Sequence, residues 1–172
     1  MKTFVCDIEQ DIPDLTGHPQ AVFDYAVRHF RTQREACTGY DEQADDFVCK
    51  YRDCPTGPTL CCIVGAFIPD DRYDPTIEQF GVHDLQVSTD SKIYSEMTDE
   101  LKASLRKFRL AVFGTTDWDP KQIDVISLLR SLQAVHDDIF RFDEEDLHET
   151  EFNLKALAEK YQLHYTPPEE AA

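Results

Sequence analysis

Glycine is scarce in this chain, at 6 of 172 residues. Missing with it are the clustered-glycine loops that cradle phosphates, the dinucleotide fingerprint and the GxSxG nucleophile elbow. Cations are scarce as well: 17 Lys and Arg stand against 34 Asp and Glu, a formal net charge of -17. That imbalance repels phosphate backbones and anionic lipids, so direct binding to nucleic acid or to a membrane surface is not expected. No stretch approaches the ~20 apolar residues that cross a bilayer. Residues 1–15 carry Asp7, Glu9, Asp11 and Asp14 and lack the apolar core of a secretory leader. The expected compartment is therefore a reducing cytoplasm, where the six cysteines are thiols or metal ligands rather than disulfides. Repeats and linkers are absent too. Residues 1–165 read as one globular domain, long enough to bury a core without staples, and 166–172 as a flexible acidic tail.

What is present is an aromatic-rich helical pattern. The chain holds eleven Phe and seven Tyr, too many for a disordered acidic polymer. Residues 2–8 have strand composition. Pro19 suits a first helical turn, Val22, Phe23, Ala26, Val27 and Phe30 recur at helical spacing, and Gly39 is placed as the stop. Residues 47–52 read as a strand. After the turn DCPTGP comes the apolar run 60–68, which suits either a buried strand completing a hairpin or a short helix opened by Cys61 and Cys62. Pro69 ends it in both cases. Asp74 and Pro75 open a short helix that stops at Gly81, and 82–94 reads as irregular. A helix over 96–112 presents Met97, Leu101, Leu105, Phe108 and Val112 on one face, turns basic toward its end through Arg106, Lys107 and Arg109, and stops at Gly114. Asp119 and Pro120 start another, running through Ile126, Leu129, Leu132 and His136. An acidic connector over 137–149 then leads to a last helix over 151–163, with Leu154, Leu157 and Tyr161 inward. The expected class is α+β: mainly helical, with a small β-hairpin or short strands near 47–68.

Four of the six cysteines crowd into 49–62, as Cys49, Cys54, Cys61 and Cys62. Their spacing is not the pair of ligands two to four residues apart that reaches one tetrahedral zinc, so no metal is assigned and no cofactor is expected. Cys61 and Cys62 suit small buried hydrophobes. Cys62 is also the candidate nucleophile of a hydrolase, since a helix start lowers a thiol pKa and His83 or His136, each followed by Asp, is a candidate base. Those His-Asp pairs equally evoke metal-dependent phosphohydrolases. His136 alternatively reads as a helix-end histidine beneath the apolar stripe, on the negative side of the dipole. The connector holds eight carboxylates over 137–151 and lacks calcium-loop spacing. Asp143, Glu144, Glu145 and Asp146 read either as a solvated loop or as a phosphate-like array for a basic partner. Arg52 and Arg72 beside Tyr51 and Tyr73 form a candidate site for small nucleotide signals. Asp70 joins Tyr51, Arg52 and Tyr73 as a candidate binding residue.

Read in order, these pieces resemble a family of small proteins encoded by bacteriophages and prophages. The resemblance rests on the helix VFDYAVRHFRTQ, the pair Tyr51-Arg52, and a C-x-V-G-x-x-I-P-D-x-x-Y-D-P core. That core stands here as Cys62, Val64, Gly65, Ile68, Pro69, Asp70, Tyr73, Asp74 and Pro75, and it is followed by Leu132, Gln133, His136 and Asp137 as L-Q-x-x-H-D. It covers about residues 20–163, and the insertion 53–58 and the long acidic connector depart from it. The resemblance carries no enzymatic activity with it. It implies a cytoplasmic protein of the infected host cell that binds a host partner, as a counter-defence inhibitor does; the acidic composition makes a basic surface on that partner, met by a nucleic-acid mimic, the expectation.

Overall fold

A computed structural model describes residues 12–15, 18–33, 37–41, 46–52, 60–138 and 144–168, with the backbone course alone for 38–41, 46–49, 138 and 144–147. The strand expected over 2–8 and the tail 169–172 lie outside the described residues. Among the described residues, five α-helices carry the fold: α1 (Pro19–Thr32), α2 (Lys92–Glu96), α3 (Asp99–Phe113), α4 (Ile123–Asp138) and α5 (Glu144–Tyr161).

The α+β expectation is overturned, and the class is all-α. Among the described residues the β structure amounts to two four-residue strands, β1 (Thr38–Asp41) and β2 (Asp46–Cys49), paired antiparallel with Thr38 opposite Cys49. So short a ribbon has no face with which to build a core; the helices build it. Among the described residues the hairpin expected across the DCPTGP turn is not seen, the turn itself lying outside them. Only an isolated antiparallel bridge, Arg52 to Cys61, survives of it. Beyond Cys61 the chain coils at once, with Ala66 N–H donating to Cys62 O at 2.9 Å and Gly65–Phe67 forming a 3-10 turn. Every residue from Cys61 to Ile68 is buried, which a coil surrounded by helices achieves without a sheet.

The helices form where apolar stripes and caps coincide. α1 starts at Pro19 and buries Val22, Phe23, Tyr25, Ala26, Val27, His29 and Phe30, but it ends at Thr32 rather than near Gly39. The end is fixed in three dimensions. The Gln33 amide donates to Cys61 O at 2.7 Å and accepts from Cys61 N–H at 3.1 Å, while buried Cys37 starts the approach to β1. The helix expected over 96–112 is two. Thr98 caps α3 by accepting from Leu101 N–H at 3.2 Å, which separates it from α2. Gly114 ends α3 in the left-handed region at φ 71°, where a side chain would be strained. Pro75–Gln79 is a 3-10 turn rather than an α-helix, with Asp74 as its cap. The acidic connector is also shorter than expected, because α5 begins at Glu144 and takes in Glu144, Glu145 and Asp146 as its first turn. Carboxylates there suit the positive end of the helix dipole.

One continuous cluster of buried residues joins these elements. Phe108 of α3 lies between Tyr51 and Phe80, at ring distances of 5.2 and 6.2 Å. Leu128, Leu129 and Leu132 of α4 are fully buried, and Leu154 and Ala158 of α5 close one side. Among the described residues, no helix is long and apolar enough to cross a membrane.

Candidate functional site

The block 51–81 is built on one carboxylate. Glu78, on the Pro75–Gln79 turn, accepts from Tyr51 N–H at 2.9 Å, from Arg52 N–H at 3.1 Å and from the Tyr73 hydroxyl at 2.8 Å. Bonds of this charge-assisted kind are about twice as strong as neutral ones. The Arg52 guanidinium donates to Asp70 and to the Ile68 carbonyl, and lies 5.0 Å from the centre of the Tyr73 ring. Burial pushes the Tyr73 phenol well above its ordinary pKa, and the bond to Glu78 adds to the shift. The Tyr51 hydroxyl donates to Phe80 O at 2.6 Å.

Gly65 is the geometric keystone of this block. A Cβ there would sit 2.0 Å from the Tyr51 carbonyl oxygen, so the coil 61–68 packs on Tyr51 backbone to backbone. From the other side His29 approaches Cys61 O at 3.2 Å and the Tyr25 hydroxyl donates to Ala66 O at 2.8 Å.

Four of the residues picked out by sequence, Tyr51, Arg52, Asp70 and Tyr73, are therefore brought together. Glu78, which joins them, was missed. Its signal was a lone carboxylate three residues after Pro75 within the otherwise uncharged stretch 75–82, too little to separate it from a solvated glutamate.

Cys62 is 1% exposed and accepts the Gly65 N–H at 3.4 Å. It lines a cavity of about 180 Å³ with Tyr51, Glu78, Gln133 and Asp137 among the other walls. The histidines are not in that lining. His136 is 3% exposed, 6.1 Å from the Phe30 ring, with Nδ1 3.4 Å from the Asp137 carboxylate. His83 is largely exposed and pairs with its neighbour Asp84 at 3.5 Å. Among the described residues, no group of three or more His, Cys, Asp or Glu is arranged to hold a metal ion. Cys54 and Asp143 lie outside the described residues, and Cys49, Glu144, Glu145 and Asp146 are placed by backbone only.

A second polar region joins α1 to the chain after α5. Arg31 makes a bidentate bond to Glu151, with Nε and Nη2 each at 3.0 Å from a carboxylate oxygen, and Nη2 also donates to Thr166 O at 2.8 Å. The Tyr165 hydroxyl donates to the same carboxylate. Burial alone would raise the Glu151 pKa, but the bonds from Arg31 and Tyr165 outweigh it and hold the carboxyl below its usual range. Burial, with Glu151 beside it, pushes Tyr165 up to about 12.

Arg109 departs furthest from the sequence reading, which set it among the basic residues late in its helix. It is 1% exposed, donating to the carbonyls of Leu85 at 3.3 Å and of Val87, and burial pulls its pKa down.

No protein-family model, curated protein or solved structure matches the chain.

Proposed function

We propose that the protein is a non-enzymatic binder that engages a partner with a basic surface through its own carboxylates. The supporting observation is where the charges go. Arg31, Arg52 and Lys107 lie on Glu151, Asp70 and Asp74, and Arg109 is enclosed against carbonyls. Asp71, Asp90, Glu100, Asp117 and Asp124 are exposed and have no ion-pair partner among the described residues. Arg72, Arg106, Lys121, Arg130 and Lys155 are likewise exposed without an ion-pair partner among the described residues, but the net charge of -17 leaves the outward field negative, which steers a cationic partner and sets on-rate and specificity. Glu144, Glu145 and Asp146 extend the array along the first turn of α5. The resemblance to phage proteins makes a host protein the expected partner, inhibited by an acidic mimic of nucleic acid.

The polar residues that would serve an enzyme are engaged in holding the chain together. Glu78 has three donors on it, Arg52 is filled by Asp70, Ile68 O and the Tyr73 ring, and Cys62 is buried with no histidine lining its cavity. The same contacts occupy the Tyr51, Arg52 and Tyr73 groups expected to take a nucleotide signal. The test is affinity capture from bacterial lysate at low and high salt. Basic proteins captured at low salt are expected to be released as salt screens the contact, by about tenfold or more. Reversing Asp143, Glu144, Glu145 and Asp146 to lysine is expected to weaken capture, whereas Cys62→Ala leaves it intact. Capture unaffected by both salt and charge reversal would overturn the acidic-surface reading.

A further inference from the structure

The cleft between α1 and residues 164–166 has the size and chemistry of a small-molecule site. Its volume is about 480 Å³, within the range of roughly 300–1,000 Å³ typical of ligand pockets. Tyr165 supplies the apolar wall, backed by buried Phe23 and Val27, with the Phe23 and Tyr165 rings edge to face at 6.4 Å. Arg28, Arg31 and His164 supply the polar groups. In a chain of net charge -17, three such groups around one cleft run against the composition.

The cleft is also built. Gln20 donates to His164 O at 2.9 Å and accepts from His164 N–H at 2.7 Å, clamping that backbone onto α1. Arg31 is fixed through Nε and Nη2 by Glu151 and Thr166 O, yet its Nη1 makes no protein hydrogen bond among the described residues. A guanidinium held on one edge and open on the other is pre-organised for an anion, because less rotamer freedom is lost on binding. The His164 ring likewise has no protein hydrogen bond among the described residues; exposed Arg28, one turn before Arg31 on the same helix, is already engaged, with its guanidinium 5.4 Å from the centre of the Tyr25 ring. Two carboxylates are local: Glu151 is bound to the Nε and Nη2 edge of Arg31, and Asp24, in the same lining, accepts from Gln20 at 2.8 Å; those beyond about 8 Å are screened by physiological salt.

We propose that this cleft binds a phosphate monoester carrying a flat ring, the chemistry of a nucleoside monophosphate. The phosphate meets Arg31 Nη1, Arg28 and His164. The ring lies against half-buried Tyr165, and the exposed Asp24 carboxylate on the same wall accepts from a base N–H.

Calorimetric titration with adenosine 5′-monophosphate, adenosine and inorganic phosphate tests the site in the full chain. The nucleotide is expected to saturate with a submillimolar Kd, and adenosine and phosphate each to bind at least about tenfold more weakly. Arg28→Gln and His164→Gln, which leave the Arg31–Glu151 pair in place, are each expected to cost about fivefold to tenfold. Three results would overturn the assignment. One is no saturation by any probe at about 5 mM, where a millimolar site would be mostly filled. Another is phosphate binding as tightly as the nucleotide. The third is unchanged nucleotide affinity in both variants.

Discussion

The block around Glu78 and the cleft beside Arg31 use the same chemistry, a carboxylate, an arginine and a tyrosine, to opposite ends. In the first, the donors and acceptors converge: Glu78 is met by two backbone N–H groups and a hydroxyl, and Arg52 by a carbonyl, a carboxylate and a ring face, with its Nε buried and without a hydrogen bond among the described residues. In the second, Glu151 saturates one edge of Arg31, which lines a cleft, and leaves Nη1 without a hydrogen bond among the described residues. Closed networks stabilise; networks left open on one side recognise. A cluster of polar residues in a sequence therefore does not announce which it is.

Substitutions can break or sharpen the contrast. The largest effect is expected from Gly65→Ala, because the new Cβ meets the Tyr51 carbonyl at 2.0 Å and both sides of the clash are backbone. Overpacking of that kind costs about 3 kcal/mol or more, and urea denaturation should show a much lower midpoint or no cooperative transition. Glu78→Gln should cost about 2 kcal/mol, since the neutral amide turns one acceptor into a donor facing groups that themselves donate. Glu151→Gln, at the half-buried rim, should cost about 1 kcal/mol. If the two glutamate variants prove equally costly, the distinction between closed and open networks fails.

The smallest effect is a pH dependence at the edge of the closed block. The Lys107 ammonium, 2.6 Å away, and then Thr76 lower the Asp74 carboxyl to about 2. A depressed carboxylate stabilises the fold above its unfolded pKa and loses that contribution as pH falls from about 4 toward 2. Asp74→Asn keeps the capping oxygen and loses the charge. Its penalty at pH 7 should be a few tenths of a kcal/mol after solvent screening, and should vanish near pH 2 in parallel thermal melts. A penalty that persists at low pH would point to the cap rather than to the ion pair.

Much of the helical frame was legible because its signals are local. Pro19, Asp74-Pro75, Asp119-Pro120 and Gly114 mark starts and stops that the structure keeps. Thr98 was not read as a cap, and the apolar periodicity running through Met97 and Leu101 made one helix of what are two. The run 60–68 was ambiguous because a fully buried segment has no amphipathic period; surrounding helices, not its own pattern, coil it. The acidic run over 137–149 misled for a related reason. Carboxylates that look like a solvated loop are equally good first-turn residues, and α5 uses them so. Within the candidate site, Tyr51, Arg52, Asp70 and Tyr73 were found from their crowding, but Glu78 and the Arg31–Glu151 pair were not. The two members of that pair lie 120 residues apart, and no local rule joins them.

By itself the sequence determined the helical content, the caps and an acidic exterior, because periodicity, turn chemistry and charge are properties of neighbouring residues. Tertiary structure decided which polar groups are closed and which remain open. Burial at Arg109 and Cys62, the backbone approach at Gly65 and the free edge of Arg31 depend on what distant segments bring to each point.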